Sequence, residues 1–152
     1  MFRPIFIFLF LITALIRCNL YVSEEQRVFN TIKIGQKAVE NENLPKLQGI
    51  VSKDYEDVWG HDYQKLMRWF LEYFNRYDNI KLRIIKNSIT VHGVTAVCDL
   101  NVIMSGNDNN TEEFTASKIR LFISLRKFNK KWLVTHAGES LPRPDQSITN
   151  LF

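Results

Sequence analysis

Cysteine is scarce in this chain. Among 152 residues there are only Cys18 and Cys98, too far apart to carry a spacing signal, so no disulfide framework holds the fold together. A chain of this length can instead bury a self-sufficient apolar core as one domain. Histidine is nearly as rare. His61, His92 and His136 lack the close pairing of a metal site, so neither a metal nor any other cofactor is expected. Six glycines and four prolines include no phosphate-cradling loop and no nucleophile elbow, and no Cys–His pairing is present. Excess charge is lacking too. The formal +4 counts 20 basic and 16 acidic residues, but Arg3 and Arg17 precede every acid, which leaves 18 against 16 after Cys18. So balanced a domain lacks the electrostatic footprint of a nucleic-acid binder, and no nucleic-acid partner is expected. The Arg126-Lys127 and Lys130-Lys131 run falls at an expected hairpin, where it reads as a solvated turn.

What the chain has in quantity is apolar and aromatic side chains, with eleven Phe, five Tyr and three Trp. The first concentration is at the start. Arg3 supplies a positive n-region and Ile5 to Ile16 is apolar except for Thr13, a run short for a membrane span and of the size of a signal-peptide core. Leu15-Ile16-Arg17-Cys18, with the cysteine directly behind the apolar run, resembles a bacterial lipoprotein signal. That resemblance implies a lipidated Cys18 at a new N-terminus. It departs from the usual pattern at Arg17, where a small residue normally stands, so an uncleaved N-terminal anchor and release as a secreted protein stay open beside it. The expected divisions are a signal or membrane anchor over residues 1–18, a domain over 19–141 and an irregular tail over 142–152. Export to the cell envelope, with a membrane as partner of the N-terminal segment, follows.

Behind the leader, helical patterns come first and strand patterns last. Ser23-Glu24-Glu25-Gln26 fits a capping box, with Val28, Ile32, Gly35 and Val39 as one stripe in which the glycine admits a close neighbour. Pro45 suits the first turn of a short second helix. Asp62 caps a third, on which Tyr63, Leu66, Met67, Phe70, Phe74 and Tyr77 form an apolar face widened by Trp69 and Tyr73. From Ile80 the period changes to two. Strands are expected over Ile80 to Ile84, Ile89 to Val91, Val94 to Ser105, Phe114 to Phe128 and Trp132 to Ala137, with breaks at Asn87-Ser88, His92-Gly93 and Asn129-Lys130. Helices followed by hairpin-connected strands mean an α+β domain with its helices on one face of an antiparallel sheet.

The helical hairpin, the loop Asp54 to Asp62 with its Trp, Gly and acids, the Phe-rich third helix, and the Gly93 turn just before the alternating VTAVCDLNV are together similar to the nuclear transport factor 2-like superfamily, which includes SnoaL-like cyclases. The likeness spans roughly residues 23 to 138 and implies a sheet curved around the helices as a cone with an internal cavity. Fold alone does not give function. In enzymatic relatives acid and base groups project into the cone from the helix-to-helix loop and from mid-strand, which implies Asp57, His61 and Asp99 as candidate proton-transfer residues, with an apolar wall raising an Asp pKa. Tyr55, Trp59, Trp69, Tyr73, Tyr77 and His136 are the candidate pocket residues. Plainer roles stay open: Asp99 as a solvated sheet residue, His61 as part of the Asp62 cap, His136 at a strand end, the aromatic stripe as core. A buried phenol without a protein partner is one that a ligand would satisfy.

Three functions are therefore carried forward. The first is a binding module for a small apolar ligand, or one that pairs with a second copy through the sheet face. The second is a cofactor-free isomerase, cyclase or dehydratase. The third is an accessory domain whose cavity is filled by its own side chains.

Overall fold

Each helix begins on a side chain suited to hold its free N–H groups. The computed structural model describes residues 22–139. Helix α1 (Glu24–Glu40) starts where the Ser23 hydroxyl accepts from the Gln26 N–H at 3.2 Å. The reciprocal half of the capping box does not form, because the Gln26 side chain donates to Asn30 Oδ1 at 2.9 Å instead. Helix α2 (Leu44–Gln48) is capped by Asn43 with Pro45 in its first turn, and α3 (Tyr63–Arg76) by Asp62, whose carboxylate accepts from the Lys65 N–H at 2.8 Å. Gly35 serves the close approach expected of it. A Cβ there would stand 3.0 Å from Ile50 Cδ1 at the end of the α2 segment.

Four strands follow in simple meander order, all antiparallel: β1 (Tyr77–His92), β2 (Thr95–Asp108), β3 (Glu113–Phe128) and β4 (Lys131–Gly138). The expected break at Asn87-Ser88 is a bulge within one continuous β1. Asn87 keeps its polar side chain satisfied there, donating to Asp99 Oδ1 and accepting from Asn101, so the strand passes without turning. Two further irregularities lie between Asp78 and Lys81 in the β1–β2 pairing and beside Ser124 in the β3–β4 pairing, and bulges of this kind bend a sheet. The hairpin turns use left-handed residues, Gly93 at φ +58° in one and Asn129 and Lys130 at +45° and +69° in the other. Nothing lies within 4 Å of a Cβ at Gly93, so Gly93→Ala isolates backbone strain. It is expected to cost about 1 kcal/mol in denaturant unfolding, and an unchanged midpoint would refute this.

The sheet turns the row Ala96, Cys98, Leu100 and Val102 toward the helices, and this row is buried with Val28 and Ile32 of α1. Asp99 and its row face outward. Both sheet edges are met by other segments, β1 at Leu82 and β4 along much of its length. Gln36 and Glu40 of α1 bond the backbone of Leu82 in β1, while residues 50–58 run along β4, with a parallel bridge at Val51 and Val134 and N–H bonds from Ser52, Glu56 and Val58 to β4 carbonyls. The loop before α3 is thus a fifth edge segment of the sheet. No helix among the described residues is long and apolar enough to cross a membrane. The expected Cys18 anchor, the leader and the 142–152 tail lie outside the described residues.

Candidate functional site

The edge segment carries its functional side chains inward and outward in alternation. Tyr55 is buried in the cluster formed by Tyr63, Met67, Phe74, Ile80 and Ala137, and its hydroxyl donates to Asp57 Oδ2 at 3.1 Å. The Asp57 side chain is 1% exposed. It accepts four hydrogen bonds: Oδ1 from the N–H groups of Trp59 (2.9 Å) and His61 (2.8 Å), Oδ2 from Tyr55 and from His61 Nδ1 at 2.9 Å. Burial acts to raise its pKa, but the bonds from His61 and Tyr55 outweigh this and hold the carboxyl below its ordinary 3.8. An ionised carboxylate only accepts, so the proton of His61 sits on Nδ1 and Nε2 is left as the basic nitrogen, on a side chain 30% exposed. The phenol of Tyr55 is pushed up by its burial and then by the charge of Asp57, so it stays a donor.

This corrects the expectation of an Asp57 with raised pKa. Its oxygens are saturated by protein donors, and its bond to Nδ1 fixes the orientation of the His61 ring. Because the folded pKa is depressed, Asp57 adds stability that is present above 3.8 and lost as pH falls through the folded value. The denaturant midpoint of Asp57→Asn is therefore expected to depend less steeply on pH below 4 than that of the parent chain. Parallel pH profiles would contradict this assignment.

Asp99 is not part of the group. It lies on the outer face, where Arg120 holds it by two bonds of 3.0 and 2.6 Å and, with Asn87, pushes its pKa down to about 2. Expecting it beside Asp57 and His61 fails because Cys98 and Leu100 form the inner row. His136 pairs with Ser124 in that outer register, near Gly138 and Val58, and so does not line the inner face. Its buried Nε2 has no partner among the described residues. Trp59 is exposed at the loop tip, and Trp69 is 38% exposed, stacked on Tyr73 at 5.2 Å. Tyr73 and Tyr77 are half-buried, 4.7 Å apart, and pack against the core cluster. The interior is thus not filled by Trp69.

Two buried clusters share half-buried neighbours in the sheet, and the α3 backbone runs close to α2 and β1. One holds the loop, α2 and α3 residues; the other holds α1 and the sheet centre. Leu82, Leu121 and Val134 pack against both and yet are only half-buried, although they face the helices from the inner sheet. Leu66, Phe70, Tyr73 and Tyr77 are half-buried residues of α3 and its end that pack against the first of these clusters. The three inner-face side chains Leu82, Leu121 and Val134 keep part of their surface exposed. Tyr63, 6% exposed in the same cluster, has a hydroxyl with no partner among the described residues, and Lys53 Nζ lies 3.6 Å from its ring centroid. Periodicity placed Tyr63 on the apolar face of α3 but gave no sign that its hydroxyl lacks a partner, which depends on every neighbour.

A separate open concavity of about 450 Å³ lies at the β2–β3 turn, lined by polar residues such as Asp78, Asn107 and Asp108. It does not suit an apolar ligand. No group of three metal-ligating side chains occurs among the described residues. Cys98 is buried, with burial pushing its thiol up to about 12, which makes it unreactive.

No protein-family model matches this sequence, and no curated protein matches it either. Solved structures do. A nuclear transport factor 2-like superfamily protein from Salmonella enterica superposes with a TM-score of 0.68 at 13% identity, over 78% of this chain and 91% of that one. A ketosteroid isomerase-like protein from Erwinia carotovora gives 0.64 at 11% identity, over 77% and 95%. A protein with a cystatin-like fold from Caulobacter vibrioides gives 0.63 at 13%, over 82% and 94%. The chain has the nuclear transport factor 2-like fold, helices followed by a curved antiparallel sheet.

Proposed function

We propose that this is an exported domain, held at a membrane by its N-terminal segment, that binds a small apolar ligand with one hydrogen-bonding group in the seam between α3 and the inner sheet face. The observation that carries this reading is the Tyr63 hydroxyl, buried and without a partner among the described residues in the same cluster where the Tyr55 hydroxyl is paired. Leaving a buried hydroxyl unbonded is costly, and a ligand acceptor beside it removes that cost. Half-buried Leu82, Leu121 and Val134 pack against the cluster to which Tyr63 belongs and supply apolar contact.

Prodan, an apolar naphthalene ketone whose emission shifts to the blue when dry, tests the proposal. Saturable blue-shifted emission is expected, weakened about tenfold by Tyr63→Phe, the size of one hydrogen bond. The same substitution leaves the unfolding midpoint of the free chain unchanged or raises it, since no protein partner is lost. Equal prodan affinity in the two proteins would remove Tyr63 from the site.

A second reading, cofactor-free proton transfer, draws on the His61–Asp57 pair, in which a fixed Nδ1–H leaves Nε2 as a base on a partly exposed ring. Pairing of two copies is a further use of the sheet's outer face, which carries exposed Ile85 and half-buried Val97, Ile103 and Phe122. Sedimentation of a monomer at high concentration would dismiss that pairing.

A further inference from the structure

We propose that the end of the domain where α1 begins is a docking face for anionic phospholipid headgroups, an inference that rests on reading the N-terminal segment as a membrane anchor. Three pieces of chain meet there. Glu24 in the first turn of α1 accepts from Trp132 Nε1 at 2.8 Å and pairs with Lys127 Nζ at 2.8 Å, while the Lys127 N–H donates to Val94 O at 2.8 Å. These bonds fix the α1 start, the Gly93-Val94 turn and the Asn129-Lys130 turn side by side.

The charges at this end are mostly of one sign. Arg27, Arg126, Lys130 and Lys131 are exposed around the half-buried Lys127, and the acids beside them are Glu24, already engaged, and Glu25. Val94, 59% exposed at the turn, and exposed Val22 ahead of α1 add apolar groups among the cations. The opposite end, around the β2–β3 turn, carries Asp78, Asp108, Glu112 and Glu113 against Arg76, which is paired to Asp108, and exposed Lys81. A domain nearly neutral as a whole thus has its charge separated along its length, a feature that net charge conceals.

Chain length turns this polarity into an orientation. Residues 17–23 join the apolar run to the Ser23 cap and span at most about 25 Å fully extended. A lipid on Cys18 would shorten that reach. The 16 residues of β1 run roughly 50 Å at strand rise, so the tether holds the α1 end, and not the acidic end, against the bilayer. Basic side chains within a Debye length of an anionic leaflet are attracted to it, and a short tether raises the effective concentration of headgroups.

The test uses the full chain reconstituted in vesicles of phosphatidylcholine with or without phosphatidylglycerol, with lysine acetylation rates read residue by residue by mass spectrometry. Lys130 and Lys131 are expected to react about threefold more slowly when phosphatidylglycerol is present, and to recover in high salt, while Lys65 and Lys81 do not change. A chain that floats with both vesicles but shows equal rates would overturn the docking face and leave the anchor standing. Failure to float with either would overturn the anchor and this face with it. Protection of the same lysines by a DNA duplex, at least as strong as by phosphatidylglycerol, would assign the face to nucleic acid and overturn the lipid assignment.

Discussion

Replacing Asp57 by alanine is expected to lower the unfolding free energy by about 3 kcal/mol, the scale for removing a buried charge that satisfies several donors. Four donors lose their acceptor at once: the Tyr55 hydroxyl, the Trp59 and His61 N–H groups and His61 Nδ1. Tyr55 is the costly member, because its ring is buried in the core cluster and its hydroxyl has no water to turn to. His61 is partly exposed and rehydrates, so His61→Ala is expected to cost only about 1 kcal/mol. Urea denaturation of the two variants measures the difference. If both cost the same small amount, Asp57 does not hold this loop.

The second large effect concerns the seam. Leu121→Trp is expected to weaken prodan binding about 100-fold or abolish it, since a wide indole takes the apolar surface that the probe would cover. Leu121 stands opposite the fully buried Leu100 in the β2–β3 register and packs against both clusters while remaining half-buried, which leaves room for the larger ring on its open side. Ile85→Trp serves as control, because Ile85 is exposed on the outer face. Fluorescence titration of both variants decides the matter. Loss in Ile85→Trp with retention in Leu121→Trp would move the ligand to the other side of the sheet.

The elements and their caps were legible because their causes are local. Ser23 and Asp62 each bond an N–H three residues ahead, and an alternating strand shows its period without help from the rest of the chain, whereas the Asn43 cap of α2 emerges only in the structure. Nearly every strand of the sheet follows from that pattern and from turns at Gly93 and Asn129. What could not be read is which face of the sheet looks inward. Both rows of β2 hold apolar residues, Cys98 and Leu100 in one, Val97 and Ile103 in the other, and the choice is made by where α1 lies. For that reason the sequence alone does not separate Asp99 from Asp57 and His61.

The loop was partly legible. Its acids and aromatics marked residues 54–62 as more than a connection, and Asp57 and His61 do meet there. The sign of the Asp57 pKa shift was not legible, because it depends on a backbone turn that brings two N–H groups to one oxygen and on the docking of residues 50–58 along β4. Long-range placement of this kind leaves no spacing signal. The charge polarity along the domain is hidden in the same way, since it arises only when two hairpin turns and a helix start come together.

Intermolecular nuclear Overhauser effects between bound prodan and the methyl groups of the sheet bear most directly on the ligand-binding claim. Contacts to Leu82, Leu121 and Val134, lost together in Leu121→Trp, are predicted. Contacts confined to Ile85, Val97 and Ile103 would place the probe on the outer face and contradict the claim.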